Sequence, residues 1–280
     1  RPLMDVDYYL ETNPDGAIHG VDPVKHYPTS GATEGRAPLD LKQVFPHFYR
    51  NHPIDLEGLI PDIPPRFVGE YPEALRAAAL ALLGRVLPKV SVIIPAWNRG
   101  HVIGTAVTSA LLQSYAPTEV IVVDDGSTDG TADLVRHRFA EAIDDGRLTL
   151  LRLPHGGVSA ARNAGLEQAT GDIISYLDSD NSWESDHLLF ACAGLLHAGA
   201  DTAYSALCRH NLDDGWSDIL FQPFDRAALE QENYIDLNTL VHRRAVYDRL
   251  GAFDTDMTRL VDWDLILRYS AEKSPVAVPV

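Results

Sequence analysis

The sequence predicts a doubly wound α/β sheet, mostly parallel and flanked by helices, and three observations carry that expectation. The runs VSVII at Val90 to Ile94 and EVIVV at Glu119 to Val123 are short, β-branched and free of internal charge, which suits strands buried on both faces of a parallel sheet. Helix-length segments separate the strand candidates, the alternation that builds βαβ units. Polar clusters stand directly after three of them: PAWN at Pro95 to Asn98, DDGSTDG at Asp124 to Gly130, and DSD at Asp178 to Asp180. Ligands sit at the carboxyl ends of the strands in such a sheet, so all three clusters should face one rim.

Taken in order, residues 1 to 69 form an accessory region rich in Pro, Gly, His and Tyr, with turn signals at Asn13 to Gly16 and Ile60 to Phe67; short helices joined by loops are expected there. Residues 70 to 88 hold a bracing helix or linker, in which Leu75, Ala79, Leu82 and Val86 recur at helical spacing between Pro72 and a stop at Pro88. Residues 89 to 280 form the α/β domain. Its first strand is followed by a helical pattern at Val102 to Ser114, and further strands are expected at Leu148 to Leu153 and Asp172 to Leu177.

At 280 residues and 45% hydrophobic composition, the chain can bury a large core. The apolar stretch Ala77 to Gly84 is far shorter than the roughly 20 residues a membrane span needs, and no basic-then-apolar leader opens the chain. A soluble protein without a signal peptide is expected. Cys192 and Cys208 are too few for a disulfide framework and lack metal-type spacing; both read as buried small hydrophobes in a reducing compartment, hence the cytoplasm. A net charge of -17 with no basic stripe argues against nucleic acid as a partner. It leaves open phosphate held through a metal.

Asp178 and Asp180, two residues apart after a buried strand, can share a divalent cation that cancels their repulsion and leaves positions for water and a diphosphate. Equally, Asp178 can cap a turn and Asp180 the helix expected near Trp183. In DDGSTDG an EF-hand fails, because Arg136 stands where the twelfth ligand must be a bidentate Glu. Ser127 or Thr128 is expected to cap the next helix, leaving Asp124 free to accept hydrogen bonds from a base or ribose. HGGVSAARNAG, His155 to Gly165, sets two glycines before a helix carrying Arg162, which can reach a phosphate or base, or else pair with a carboxylate. In LVDWDLILRY, Leu260 to Tyr269, one aspartate can face a cleft as a general base while the other pairs with Arg268; helix capping by Asp262 is the plainer alternative. Neither GxGxxG nor GxxxxGK[ST] occurs, so dinucleotide-oxidoreductase and P-loop readings lack their fingerprints.

Together, VSVIIPAWN, VIVVDDGSTD, GGVSAARNAGLEQATGDIISYLDSDN, LGAFDTDM and VDWDLILRY resemble, in that order, the family 2 glycosyltransferases, inverting enzymes of the GT-A nucleotide-diphospho-sugar transferase fold. The match covers nearly all of residues 88 to 280. The resemblance implies that Pro95, Trp97, Asn98, Asp124 and Arg162 bind the nucleotide sugar. It implies the same for Asp178, Ser179 and Asp180, with Asp178 and Asp180 also meeting a Mn2+ or Mg2+ ion and Asp180 as its direct ligand. Asp262 would then be the catalytic base. Two positions depart from the family pattern: Trp97 where Tyr is commoner, and Val261 before Asp262 where Glu is commoner. PVAVPV resembles the final strand of these domains, and Asp254 and Asp256 fall in a structural segment.

The implied activity is transfer of a sugar from a nucleotide-sugar donor, a UDP-sugar, to a hydroxyl on a glycan or lipid-linked acceptor. Segment 207 to 236 would form a flap on the acceptor side, with Trp216 and Phe221 either exposed on it or packed beneath the loop. Residues 22 to 36 resemble a segment found beside sugar-transferase domains in bacterial surface-polysaccharide proteins; there His19, His26 and Tyr27 read as packing and turn residues. A larger parent protein, working with membrane-associated partners at the inner face of the membrane, is the corresponding expectation. Two other readings stay open: a non-catalytic nucleotide-sugar-binding module, and a sugar nucleotidyltransferase, which wants a basic Gly-rich loop where PAWNRGH offers only Arg99 and Gly100.

Overall fold

A computed structural model of the chain describes residues 88–211 and 216–279. The accessory region, the bracing helix from Pro72 to Leu87, and His19, His26 and Tyr27 lie outside the described residues.

The described chain builds a seven-stranded sheet in the order β3-β2-β1-β4-β8-β5-β9. Strands β1 (Val90–Ala96), β2 (Glu119–Asp125), β3 (Leu148–Leu153) and β4 (Ile173–Tyr176) are parallel neighbours. Beyond β4, β8 (Leu240–Arg243) runs antiparallel to both β4 and β5 (Thr202–Tyr204), and β9 (Val276–Ala277) closes the edge parallel to β5. Because β1 leads outward to β2 and β3 while β4 returns to its other side, the chain reverses direction between β1 and β4. That reversal opens a crevice at their carboxyl ends.

Alternate residues of each strand serve opposite faces. Ile93, Ile121, Val123, Ile174 and Tyr176 join one core cluster with helix α4 (Val158–Gln168) and helix α8 (Val261–Tyr269). On β1 and β2 also packs helix α1 (Ile103–Leu111), through Ile103, Ala106, Val107 and Ala110, none of which belongs to that cluster. Burial on both sides explains why β1 and β2 carry such unbroken apolar runs. Helices α2 (Thr131–Arg138) and α3 (Ala140–Asp144) connect β2 to β3, and α5 (His187–His197) follows β4. The hairpin β6 (Leu207–Asn211) and β7 (Trp216–Leu220), α6 (Arg226–Leu229), a 3-10 turn at Leu237–Thr239 and α7 (Arg244–Leu250) complete the element order.

Four local expectations are corrected or settled. Helix α5 starts at His187, not near Trp183, because Trp183 is claimed by tertiary contacts: its indole N–H donates to the Asn238 carbonyl at 2.7 Å and its ring stacks on His187. Neither Ser127 nor Thr128 caps α2; Gly130 takes the N-cap position at φ 86, and the Asp129 carboxylate accepts the Thr131 N–H at 3.0 Å. Residues 207–211 and 216–220 form a regular antiparallel pair, and Phe221 packs against Tyr204 at 6.0 Å between ring centroids; the side chain of Trp216 lies outside the described part. Cys208 is exposed on that hairpin, whereas Cys192 is buried as expected, with burial pushing its thiol up to about 12.

Candidate active site at the carboxyl ends of β1, β2 and β4

The crevice between β1 and β4 is an open cleft of about 410 Å³. One wall comes from the end of β1, where Pro95 and Ala96 are buried and Trp97 emerges half exposed. Asn98 follows in the left-handed region at φ 51, a conformation Asn tolerates better than most residues. Its backbone N–H donates to Ser127 Oγ at 2.8 Å, and its side-chain oxygen accepts the Thr128 N–H at 2.9 Å. Arg99 N–H donates to Thr131 Oγ1 and Gly100 N–H to Asp129. The PAWN and DDGSTDG loops are thus stitched together, and Asn98 acts on the loops and does not border the cleft.

The two adjacent aspartates at the end of β2 have different environments. Asp124 pairs in register with Arg152 on β3, accepts from Arg152 Nε at 3.2 Å and from the Ser127 N–H at 3.2 Å, and has no exposed surface. It is not free, as the sequence reading had it, and it is not among the cleft residues. Asp125 borders the cleft instead. Its carboxylate accepts the N–H groups of Gly156 at 2.7 Å and Gly157 at 2.9 Å, and His155 Nδ1 lies 2.8 Å from it. The imidazole of His155 stacks on Trp97, centroids 4.4 Å apart and planes 19° from parallel.

The first turns of α4 bring Val158, Ala161 and Arg162 to the cleft. The Arg162 side chain is only 7% exposed, donates to Asp178 Oδ1 at 2.7 Å, lies over the Phe253 ring at 5.3 Å, and leaves its buried Nε without a partner. Asp178 is further held by Asn238, whose Oδ1 accepts the Asp178 N–H at 2.6 Å and whose Nδ2 donates to Asp178 Oδ2 at 3.3 Å. Ser179 is buried beside it. Asp180 stands at the rim, 52% exposed, with Arg99 reaching across to it at 3.5 Å.

Among the described residues, no three Asp, Glu, His or Cys side chains converge as a metal cage. Asp178 and Asp180 are nevertheless a donor set that suits a hard divalent cation, since Mg2+ commonly takes one or two carboxylates and completes its shell with phosphate oxygens and water. With Asp178 engaged by Arg162 and Asn238, Asp180 is the more available ligand.

On α8, Asp264 pairs with Arg268 at 2.8 Å, which settles which aspartate makes the ion pair. Asp262 makes none: its Oδ2 accepts from Asn233 Nδ2 at 3.3 Å. Nor does it cap the helix, whose N-cap is Leu260 at φ 57 with no side-chain cap bond. Asp254 and Asp256 form a local turn, the Asp256 N–H donating to Asp254 at 2.8 Å. Sequence reasoning missed Asp125, His155, Asn233 and Asn238. A signal existed only for the first two, as neighbours of residues already singled out.

The sequence profile described as "Glycosyl transferase family 2" matches residues 91–249, more than half of the chain. The chain belongs to that family. Among curated family members it is similar to the putative teichuronic acid biosynthesis glycosyltransferase TuaG of Bacillus subtilis, 42% identical over 101 residues, 36% of this chain and 39% of that protein. It is also similar to the UDP-Glc:alpha-D-GlcNAc-diphosphoundecaprenol beta-1,3-glucosyltransferase WfgD of Escherichia coli, 39% identical over 100 residues, 35% of this chain and 38% of that one. The chain therefore matches well under half the length of either relative. Two solved structures share its fold: Staphylococcus aureus TarS 1–349 in complex with UDP, with a TM-score of 0.56, 24% identity, and coverage of 68% of this chain and 57% of that one; and the mannosyltransferase PcManGT of Pyrobaculum calidifontis in complex with GDP-Man and Mn2+, with a TM-score of 0.53, 25% identity, and coverage of 76% and 64%. With the mostly parallel sheet, these neighbours give the family 2 member the GT-A fold.

Proposed function

We propose that residues 89 to 280 form the catalytic domain of a metal-dependent, inverting glycosyltransferase. It moves a sugar from a UDP-sugar to a hydroxyl of a glycan or lipid-linked acceptor in bacterial surface-polysaccharide synthesis, at the inner face of the membrane. The observation that carries this reading is the convergence, at the β1/β4 reversal, of an open aromatic face, a buried arginine with an unused donor, and two acidic groups. Support comes from the UDP in the TarS structure, the Mn2+ in PcManGT, and the diphosphoundecaprenol acceptor in the name of WfgD. No described helix is long and apolar enough to cross a membrane.

In this reading Trp97 offers its face to the base, and Arg162 offers Nε and its positive charge to the diphosphate. Asp180, with Asp178, would hold Mn2+ or Mg2+, which when bound supplies charge stabilisation for the diphosphate leaving group. Asp262, which is not among the residues lining the cleft, would act on the acceptor. Asn233 holds its Oδ2, so Oδ1 takes the proton from the acceptor hydroxyl as that oxygen bonds to the anomeric carbon. The bond from that carbon to the diphosphate breaks, and the diphosphate leaves with the electron pair. A single displacement from the opposite face inverts the centre.

The test is calorimetric titration of UDP with Mn2+ and with chelator, on the wild type and on Asp180→Asn. Binding that needs both the metal and Asp180 supports the donor site; binding indifferent to both removes it. Release of UDP from a UDP-sugar in the presence of acceptor, lost in Asp262→Asn, separates a transferase from a silent binding module.

A further inference from the structure

We propose that His155 is a nucleobase-positioning residue: it backs Trp97, and the base of a nucleoside diphosphate stacks on the face of Trp97 that His155 leaves open. The inference rests on the donor-cleft reading above and adds a residue and a role to it.

Trp97 is 50% exposed, an uncommon placement for the largest apolar side chain, and it borders the cleft. The loop beneath it is fixed by the bonds of Asn98 and Arg99, but the indole itself has no hydrogen-bond partner among the described residues. Its restraint is the near-parallel imidazole at 4.4 Å, a separation within the range of favourable stacking. His155 is in turn immobilised. Its Nδ1 lies 2.8 Å from the Asp125 carboxylate and 3.1 Å from the Asp125 carbonyl oxygen, so the ring is oriented by a buried acid. The same carboxylate takes the N–H groups of Gly156 and Gly157, which pins the loop on the C-terminal side of the ring. Gly126 at φ 72 lets the two backbones approach closely: a Cβ there would lie 2.7 Å from the His155 backbone nitrogen. The sequence thus places a buried acid, a left-handed glycine and a Gly-Gly turn around one half-exposed imidazole. The outcome is a rigid backing for an otherwise unanchored indole. A ring held in place presents its open face without an ordering cost, and base–aromatic stacking is strong enough for the loss of that order to be measurable.

The experiment uses the full chain with Mn2+ and two probes, UDP and inorganic pyrophosphate, on wild type, His155→Ala and His155→Phe. His155→Ala is expected to weaken UDP about tenfold. Pyrophosphate affinity should stay within about twofold, because the phosphate-side groups are untouched. Phenylalanine restores a flat backing without the bond to Asp125, so His155→Phe should bring UDP to within about threefold of wild type. The inference is overturned if His155→Ala leaves UDP affinity unchanged, or if pyrophosphate weakens in parallel, which would make His155 a prop for the glycine loop. Failure of Phe to restore binding also overturns it, since the Asp125 bond and not the flat face would then matter. A wild type that binds pyrophosphate with Mn2+ but not UDP, or binds neither, overturns the donor-cleft reading together with this one. Thermal melts of both variants, expected within about 2 °C of wild type for a half-exposed residue, guard against misfolding.

Discussion

Strands β1, β2 and β4 and strands β5 and β8 belong to one sheet, yet they are packed with different chemistry. In the parallel half, Val92, Ile93, Ile94, Val120 to Val123, Ile173 and Ile174 are all fully buried, and the hydroxyls among them are tied to neighbours, as when Ser91 Oγ donates to Glu119 at 2.6 Å. In the mixed half the interior holds His242, His187, Thr202, Ser205 and Asn238, and both Thr202 Oγ1 and His187 Nε2 lack partners. Close apolar packing makes the first half a stiff platform, from whose strand ends the cleft residues project. The second half holds a polar network, and α8, which bears Asp262, packs into the cluster that both halves share. Several bonds join them: Asn238 holds Asp178, Tyr176 meets His242, and Asn163, next to Arg162 on α4, exchanges two hydrogen bonds with the Phe253 backbone at 2.8 and 2.9 Å. On the proposed reading, the division makes donor binding and proton removal separately testable.

The sharpest break of that comparison is Asp262→Asn. Loss of the proposed general base should lower the transfer rate by about 10²- to 10⁴-fold while the UDP titration stays unchanged. Single-turnover transfer and calorimetry on the same sample check it; parallel losses in both would show that the halves are not separable.

Next in size is pH. Burial pulls His242 down to about 4 and His187 down to about 3, from an ordinary 6.5. Facing His242 are the Tyr176 hydroxyl, 2.9 Å from Nε2, and the Tyr269 ring; its Nδ1 bonds the Arg243 carbonyl at 3.0 Å. Below pH 6.5 the unfolded chain gains protons on these rings that the folded chain refuses. Stability is therefore full above about 6.5 and falls as pH drops towards 4, by roughly 3 kcal/mol for His242 alone. Urea unfolding at pH 7.5, 6 and 5 measures it, and a flat profile would mean that the mixed half admits the charge.

Packing in the parallel half gives a third, smaller effect. A Cβ on Gly165 would lie 2.5 Å from Ile93 Cγ2, a fully buried side chain with nowhere to go, so Gly165→Ala should cost about 1–3 kcal/mol. The smallest effect is its control, Gly104→Ala on α1. Its Cβ meets the far end of the Arg138 side chain, which can swing aside, and helix propensity favours Ala; the net change should lie within about 0.5 kcal/mol. Equal losses at the two sites would refute the claim that the platform is stiff.

Legibility follows the same division. The runs at Val90 and Glu119 were readable because strands buried on both faces leave an unbroken apolar signature, and β3 falls at Leu148–Leu153 as expected. Strands β5 and β8 were not: three or four residues with Thr, His and Tyr carry no period long enough to recognise, and their pairing depends on chain segments some forty residues apart. The site divides likewise. Trp97, Arg162, Asp178 and Asp180 were singled out from their places after strands or in a helix's first turns, and the structure gathers them in one cleft. Asp124 and Asp125 could not be told apart, since neighbours on a strand point to opposite faces and the register with Arg152 decides which is occupied.

By itself, then, the sequence determined the parallel sheet, the rim where its polar loops meet and the family to which the chain belongs, because local apolar pattern and motif order encode them directly. Only the tertiary structure decided that Asp125 and not Asp124 borders the cleft, that His155 lies flat on Trp97, and that Asn233 holds Asp262. Each of these is a contact between segments some thirty to sixty residues apart, and spacing along one strand or helix carries no information about which distant side chain will arrive there.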